Sequence, residues 1–307
     1  MELIGFVALF LTAGAIGFRY SALRGKLGAA SRATTAPNAG VVDDSAIYEA
    51  AARRAAVLGL VGAVIAIILA VQSLPGLAQR AHTTTGALLS SNSGAQMMIG
   101  FAALAIIGFL LASARIGAGW PLAAIGVVVG TLRGVFAAKW AQLVNPMHEL
   151  AAGLWIGTLF VMVVAGLALV FRRDTPAERR GPITAAMVND FSPLALVCGG
   201  LVVIFGVITA WKHLNPLSSL WTTPYGWALI TKLIVVAIVF GLGAWNWQRG
   251  RPTSGTEAGA IGLRRSATGE LTAAGIVLVI TAILVSLPSP RRPAAPQAPV
   301  ASASTRR

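Results

Sequence analysis

Residues 147–171 read MHELAAGLWIGTLFVMVVAGLALVF, a run of 25 residues in which Glu149 is the one acidic residue and neither lysine nor arginine occurs. The hydrocarbon core of a bilayer is crossed by roughly 20 mostly apolar residues in helical form. This stretch is long enough, and it lacks the alternation of apolar and polar residues that marks a membrane strand. It therefore predicts a membrane-spanning helix.

Seven more apolar runs of similar length lie on either side of this one. Hydrophobic residues make up 56% of the chain and charged residues only 11%, with a mean hydropathy of +0.76, so the charges are too few to cover a water-facing surface. We predict an all-α fold, a polytopic transmembrane bundle of about eight helices. The predicted spans are Glu2–Tyr20, Arg54–Leu74, Ala95–Ala114, Trp120–Ala138, Met147–Phe171, Phe191–Trp211, Tyr225–Trp247 and Gly269–Leu287.

The segments between the spans divide the chain. Residues 1–144 form a predicted N-terminal region of four membrane helices, which contains a loop at 21–52 rich in Ala, Gly, Ser and Thr. Such a composition is typical of a flexible connection. Residues 145–288 form a second region of four helices. The tail at 289–307 is rich in Pro, Ala and Ser and is expected to be disordered.

The net charge of +14 reflects membrane topology rather than nucleic-acid binding, because the basic residues lie in short segments beside the apolar runs. The first, third, fifth and seventh loops hold most of them, whereas the even-numbered loops offer only Arg80, Lys139 and Lys212. Basic loops stay on the cytoplasmic side of a membrane. We therefore expect a protein embedded in the lipid bilayer whose N- and C-termini both lie outside.

This orientation brings the histidines and several methionines to the outer side. The residues concerned are His82, His148, His213, Met97, Met98 and Met147. Imidazole and thioether groups without a thiolate suit copper, and Cu(I) in particular. We take His148, His213, Met147, Met97 and Met98 as candidate metal ligands. The alternative is that the histidines are solvated residues at helix ends and the methionines are ordinary membrane core.

Four ionisable residues fall within or at the ends of the predicted spans. They are Lys232, Arg133, Glu149 and Glu270. A charge inside a membrane is costly, so each is expected to face the bundle or to extend to the interface. Lys232 and Arg133 are candidates for a role in an ion path, as a gate or as a binding site for an anionic group, and structural pairing or extension to the interface is the alternative. Asn246 is expected to make a polar contact between helices.

The second half of the chain resembles the copper resistance protein D family. The resemblance rests on HELAAGLWIG (148–157), FSPLA (191–195), TPYG (223–226) with Lys232, Asn246, and LRRS (263–266) followed by Glu270. It covers 145–288, about half of the chain. The family often has a Gly-His-Ala-type element in the preceding helix, where this chain has Arg133-Gly-Val-Phe136.

The resemblance implies an inner-membrane protein that handles the copper ion, in import or in resistance, with His148 matching the family's histidine. A periplasmic copper-binding protein is the implied partner, because some relatives carry such a domain. Two alternatives stay open: copper delivery or oxidase assembly without transport, and a haem-binding redox protein. No enzyme is predicted, since a nucleophile elbow, a His-Glu-x-x-His motif and a phosphate loop are all missing from the sequence.

Overall fold

The computed structural model describes residues 2–27, 44–137, 142–213 and 217–287. These ranges are helical and contain no strand, as the sequence predicts. The helices are α1 (Glu2–Tyr20), α2 (Ser45–Arg80), α3 (Thr85–Ser91), α4 (Ser93–Ser113), α5 (Gly119–Thr131), α6 (Val144–Val170), α7 (Ala177–His213), α8 (Pro224–Gly250) and α9 (Glu257–Ser286). Short helical segments occur at Arg133–Ala137, Ser219–Thr222 and Arg251–Thr253. The predicted tail at 289–307 lies outside the described residues.

Seven of the described helices are long and apolar enough to cross a membrane: α1, α2, α4, α6, α7, α8 and α9. The eighth predicted span corresponds to α5, a shorter apolar helix of 13 residues. After Thr131 the chain tightens into a 3₁₀ segment, Arg133–Ala137. Arg133 therefore lies beyond the α-helix, where its guanidinium donates to the Gly130 carbonyl at 2.9 Å, and not inside the helix as expected.

Three helices begin well before their apolar runs. Helix α2 begins at Ser45, α7 at Ala177 and α9 at Glu257, so residues 45–52 of the predicted loop are helical. Hydropathy detects only the part of a helix that lies in lipid. The polar extensions continue beyond it, and ion pairs hold them together: Arg179 pairs with Asp44 at 2.5 Å and Arg180 with Glu257 at 2.7 Å.

Helix α6 is the centre of the bundle. Within its most apolar segment 72% of the residues are buried, against 11% for α8. Helix α1 crosses α6 at Gly14 and Gly157. The two helices are so close there that a Cβ at Gly14 would overlap the backbone of Gly157. The Thr158 hydroxyl donates to the Gly14 carbonyl at 3.5 Å at the same crossing. Small residues let membrane helices approach this closely, so α1 joins the N-terminal helices to the C-terminal half.

Exposed tryptophans mark the membrane boundaries on α8. Trp227 and Trp245 are each 59% exposed, near opposite ends of the helix. At 1.5 Å per residue they lie about 27 Å apart, close to the roughly 30 Å of a bilayer core. Tryptophan is enriched at both membrane interfaces. The exposed apolar face of α8 therefore fits a lipid environment.

The two ends of the bundle differ in charge. The end that carries the basic loops holds four ion pairs among the described residues: Lys26–Asp190, Arg115–Glu49, Arg179–Asp44 and Arg180–Glu257. At the opposite end lie Glu2, His148, Glu149 and Lys232, near the ends of α1, α6 and α8. This second end, the predicted outer side, is called the outer end below.

Candidate functional site

His148 is held against α7 by a hydrogen bond to the backbone. Its Nδ1 lies 3.0 Å from the Val202 carbonyl oxygen. A carbonyl can only accept a hydrogen bond, so Nδ1 carries a proton, and in the neutral imidazole Nε2 then keeps a free lone pair. Histidines that bind metals usually have their other ring nitrogen fixed in this way. The half-buried ring therefore presents one ligand atom in a defined orientation.

A glycine on α7 makes room for the imidazole. A Cβ at Gly206 would lie 3.2 Å from Cε1 of His148 and 3.6 Å from Nδ1. One turn further along α7, the Thr209 hydroxyl donates to Oδ1 of Asn145 at 2.8 Å, which ties the start of α6 to α7. Gly206 and Thr209 thus fix the distance between the two helices at the ring. A lone glycine and a threonine in an apolar run give no sequence signal for these roles.

Lys232 adds a positive charge beside His148. Its ammonium group lies within electrostatic range of the His148 ring and of the Glu149 carboxylate. Glu2 of α1 acts on Glu149 from another side. The lysine and the two carboxylates together form a cluster of mixed charge around the imidazole at the outer end.

A cleft of about 650 Å³ adjoins this cluster, between the N-terminal helices and the start of α6. Small apolar residues such as Ala66, Ala102 and Ala105 line part of it. Its polar lining includes Glu2, Ser73, Arg133, Gln142 and Glu149, together with the thioether of Met98. Three of the predicted site residues, Met98, Arg133 and Glu149, therefore share one cleft.

The other predicted residues are dispersed. His82 lies exposed in the turn after α2, with a φ of 51°. Met97 and Met147 are half-buried, on α4 and α6. The His213 side chain lies outside the described part of the chain. Among the residues that the structure describes, no three His, Cys, Asp or Glu side chains form a group that could hold a metal ion.

Glu270 lies elsewhere than expected. The sequence placed it near a helix end, but α9 begins at Glu257, so Glu270 is an interior residue of that helix. Its side chain is buried, and Asn246 Nδ2 donates to Oε2 at 3.2 Å. The predicted polar contact of Asn246 between helices is thus present, and its partner is Glu270.

The helices and their buried polar groups define a multi-pass helical membrane protein. Within this class, residues 185–284 match the protein family described as copper resistance protein D. The resemblance noted in the sequence is therefore confirmed for these residues. The matched segment contains Val202, Gly206, Lys232, Asn246 and Glu270, whereas His148 precedes it.

One curated relative is the copper transport protein CutJ of Bacillus subtilis (strain 168). It is 28% identical to this chain over 152 residues, which is 50% of this chain and 26% of that protein. The match thus spans about a quarter of the length of the curated relative. No solved structure matches the chain.

Proposed function

We propose that this protein binds copper at the outer end of the bundle and moves it inward across the membrane. The observation that carries the proposal is the orientation of His148, whose Nδ1 is hydrogen-bonded to the Val202 carbonyl, so that Nε2 of the neutral ring is the nitrogen left to bind a metal. The family match and the relative named as a copper transport protein support copper as the substrate.

The chemistry around His148 also favours copper over harder cations. Imidazole is a good ligand for copper, and thioethers select Cu(I). Met147 neighbours His148 in the chain, and Met98 lines the adjoining cleft beside Glu149. Ca²⁺ and Mg²⁺ would require several oxygen ligands at one point. A site of one imidazole and one or two thioethers binds copper reversibly, as a transport protein requires.

Lys232 suits a gate at this site. Its charge opposes the approach of a cation to His148, and Glu149 offsets that charge. A shift of the Lys232 ammonium toward or away from the Glu149 carboxylate would change the electrostatic potential at the His148 ring. This change is large because the surrounding medium has a low dielectric constant. In this proposal Glu149 and Lys232 control access to the imidazole and do not bind the metal themselves.

The test is the affinity for Cu(I) of the detergent-purified protein, as wild type, His148→Ala and His82→Ala. We expect one copper per chain in the wild type and no change of affinity in His82→Ala. His148→Ala should lose more than about 100-fold in affinity, because loss of a residue that only supports a ligand already costs about 10–100-fold. Equal affinities in all three proteins would refute the site.

Copper uptake into sealed vesicles then separates transport from delivery. Binding without uptake would show that the protein hands copper to a partner, and the transport part of the proposal would be wrong. The absorption spectrum of the same preparation tests the haem alternative, because a Soret band would show that the protein binds haem.

A further inference from the structure

Glu270 is the one acidic or basic residue among the described residues that is buried. Its side chain is 5% exposed, within α9 and well away from the outer end. An ionisable group at such a position in a membrane protein is costly and usually functional. Nothing in the copper site uses it, because His148 and Glu149 lie at the opposite end of the bundle.

The hydrogen-bond partner of Glu270 is neutral. Asn246 donates to Oε2, and no charged side chain of the described residues forms an ion pair with the carboxyl group. Several charged groups on the surrounding helices have other partners: Asp190 pairs with Lys26, Arg180 pairs with Glu257, Arg264 stacks on Phe171, Arg249 stacks on Trp245, Arg19 stacks on Tyr20, and Lys232 acts on Glu149. A buried carboxyl group without a counter-ion is best accommodated as the neutral acid.

The backbone beside Glu270 is irregular and open. Asn246 begins a π-helical turn, Asn246–Gly250, a feature that often occurs at functional sites. Gly243, one turn earlier, faces the second carboxyl oxygen, and a Cβ there would lie 3.4 Å from Oε1. The absence of a side chain at Gly243 leaves the space beside Oε1 that a Cβ would otherwise fill.

A second cleft leads to this turn from the end with the basic loops. It has a volume of about 530 Å³ and is lined by Trp247 and Gln248, the two residues after Asn246, and by Asn189 and Ser254. The lining is mostly apolar, and Asn189, Gln248 and Ser254 are the polar side chains at which water can bind. The cleft thus lies beside the π-helical turn that carries Asn246, and neither Asn246 nor Glu270 is among its lining residues.

We propose that Glu270 is a proton-binding residue that exchanges protons with the inner side, and that its proton release is coupled to the passage of the copper ion. The coupling rests on the proposed transport function; the proton binding does not. Asn246 is the positioning residue that holds the carboxyl group. No electron is transferred: one proton leaves Glu270 for each positive charge that arrives near it.

The coupling follows from electrostatics. An ionised Glu270 is stabilised when a cation is near and is costly when the cation is absent. A cation that moves through the bundle therefore favours release of the proton, and by linkage a bound proton disfavours the cation. A lower pH inside the cell would hold copper out, and a higher internal pH would favour its inward movement.

Infrared difference spectroscopy tests the proton directly and needs no copper. The wild type should show the C=O band of a buried, protonated carboxylic acid, shifted in D₂O. Glu270→Gln should lose this band, whereas Glu257→Gln, on the same helix but in a partly exposed ion pair with Arg180, should keep it. Asn246→Ala should shift the band without removing it, because the acid remains and loses its hydrogen bond. A wild type without the band would overturn the proposal.

Copper uptake into proteoliposomes tests the coupling. A higher internal pH should accelerate copper uptake several-fold in the wild type and in Glu257→Gln, and should have no effect on uptake in Glu270→Gln. The affinity of Glu270→Gln for Cu(I) should equal that of the wild type. If Glu270→Gln responds to the gradient as the wild type does, the coupling is wrong. If the wild type shows no uptake at all, the transport function fails, and the infrared result still decides whether Glu270 binds a proton.

Discussion

Replacing Gly206 by valine should weaken copper binding without touching a ligand. A Cβ at this position would already lie 3.2 Å from Cε1 of His148, which is tighter than most carbon contacts. Valine adds two methyl groups beyond that atom, so the imidazole must move away from α7. Its Nδ1 then loses the hydrogen bond of 3.0 Å to the Val202 carbonyl.

The expected size of the effect comes from the role of that hydrogen bond. Loss of an outer-shell partner of a metal-binding histidine costs about 10–100-fold in affinity. This corresponds to about 1.4–2.7 kcal/mol of binding free energy. The loss should be smaller than that of His148→Ala, since the imidazole remains present but is no longer oriented.

Competition with a chromogenic Cu(I) chelator measures this affinity in detergent. Gly200→Val is the matched control, because Gly200 lies on the same helix, is exposed, and has no neighbour within 4 Å of a Cβ built there. Both variants introduce the same β-branched residue into α7, so the comparison removes the effect of helix propensity.

Two results would refute this reasoning. The first is an equal affinity of Gly206→Val and Gly200→Val for Cu(I). The second comes from the double variant with His148→Ala: if Gly206 acts through the imidazole, Gly206→Val should cost nothing further once the imidazole is gone. An additional loss in the double variant would mean that the two residues act independently.

Two further predictions concern the fold. Gly14→Leu should destabilise the protein by about 1–3 kcal/mol in thermal unfolding, because the leucine side chain would overlap the backbone of α6. Gly100→Leu is the control, since Gly100 faces open space and its replacement should not destabilise the protein. Equal unfolding temperatures of the two variants would contradict the crossing of α1 and α6. In a chain whose Cys198 is replaced by alanine, an impermeant maleimide added to intact spheroplasts should label Thr83→Cys but not Asp174→Cys. The reverse pattern would invert the predicted topology.

The sequence predicts the helices well where lipid alone determines their limits. Helix α1 has the predicted bounds, Glu2–Tyr20, and α4, at Ser93–Ser113, differs from its prediction by one or two residues. In both, the apolar run and the helix coincide. In α9 they do not: the helix begins at Glu257, and polar residues there are held by contacts with other helices that hydropathy does not detect.

The candidate site is less predictable for a similar reason. The sequence identifies His148 as chemically suitable, but the Val202 carbonyl that orients it is a backbone group 54 residues away. Any residue could supply a carbonyl, so no side-chain pattern identifies it. The burial of Glu270 depends in the same way on how α8 and α9 pack, and the π-helical turn at Asn246 has no residue signature.

The crossing of α1 with α6 has a consequence for how the protein is made. Gly14 and Thr158, which meet there, are 144 positions apart in the chain. At 5–20 residues per second, the ribosome needs roughly 7 to 30 s to synthesise the intervening segment. During this interval α1 is in the membrane with its glycine face uncovered, available to other helices. The face of α1 that carries Gly14 therefore stays open until α6 follows, and a chaperone or insertase that shields small-residue faces would act longest on this face.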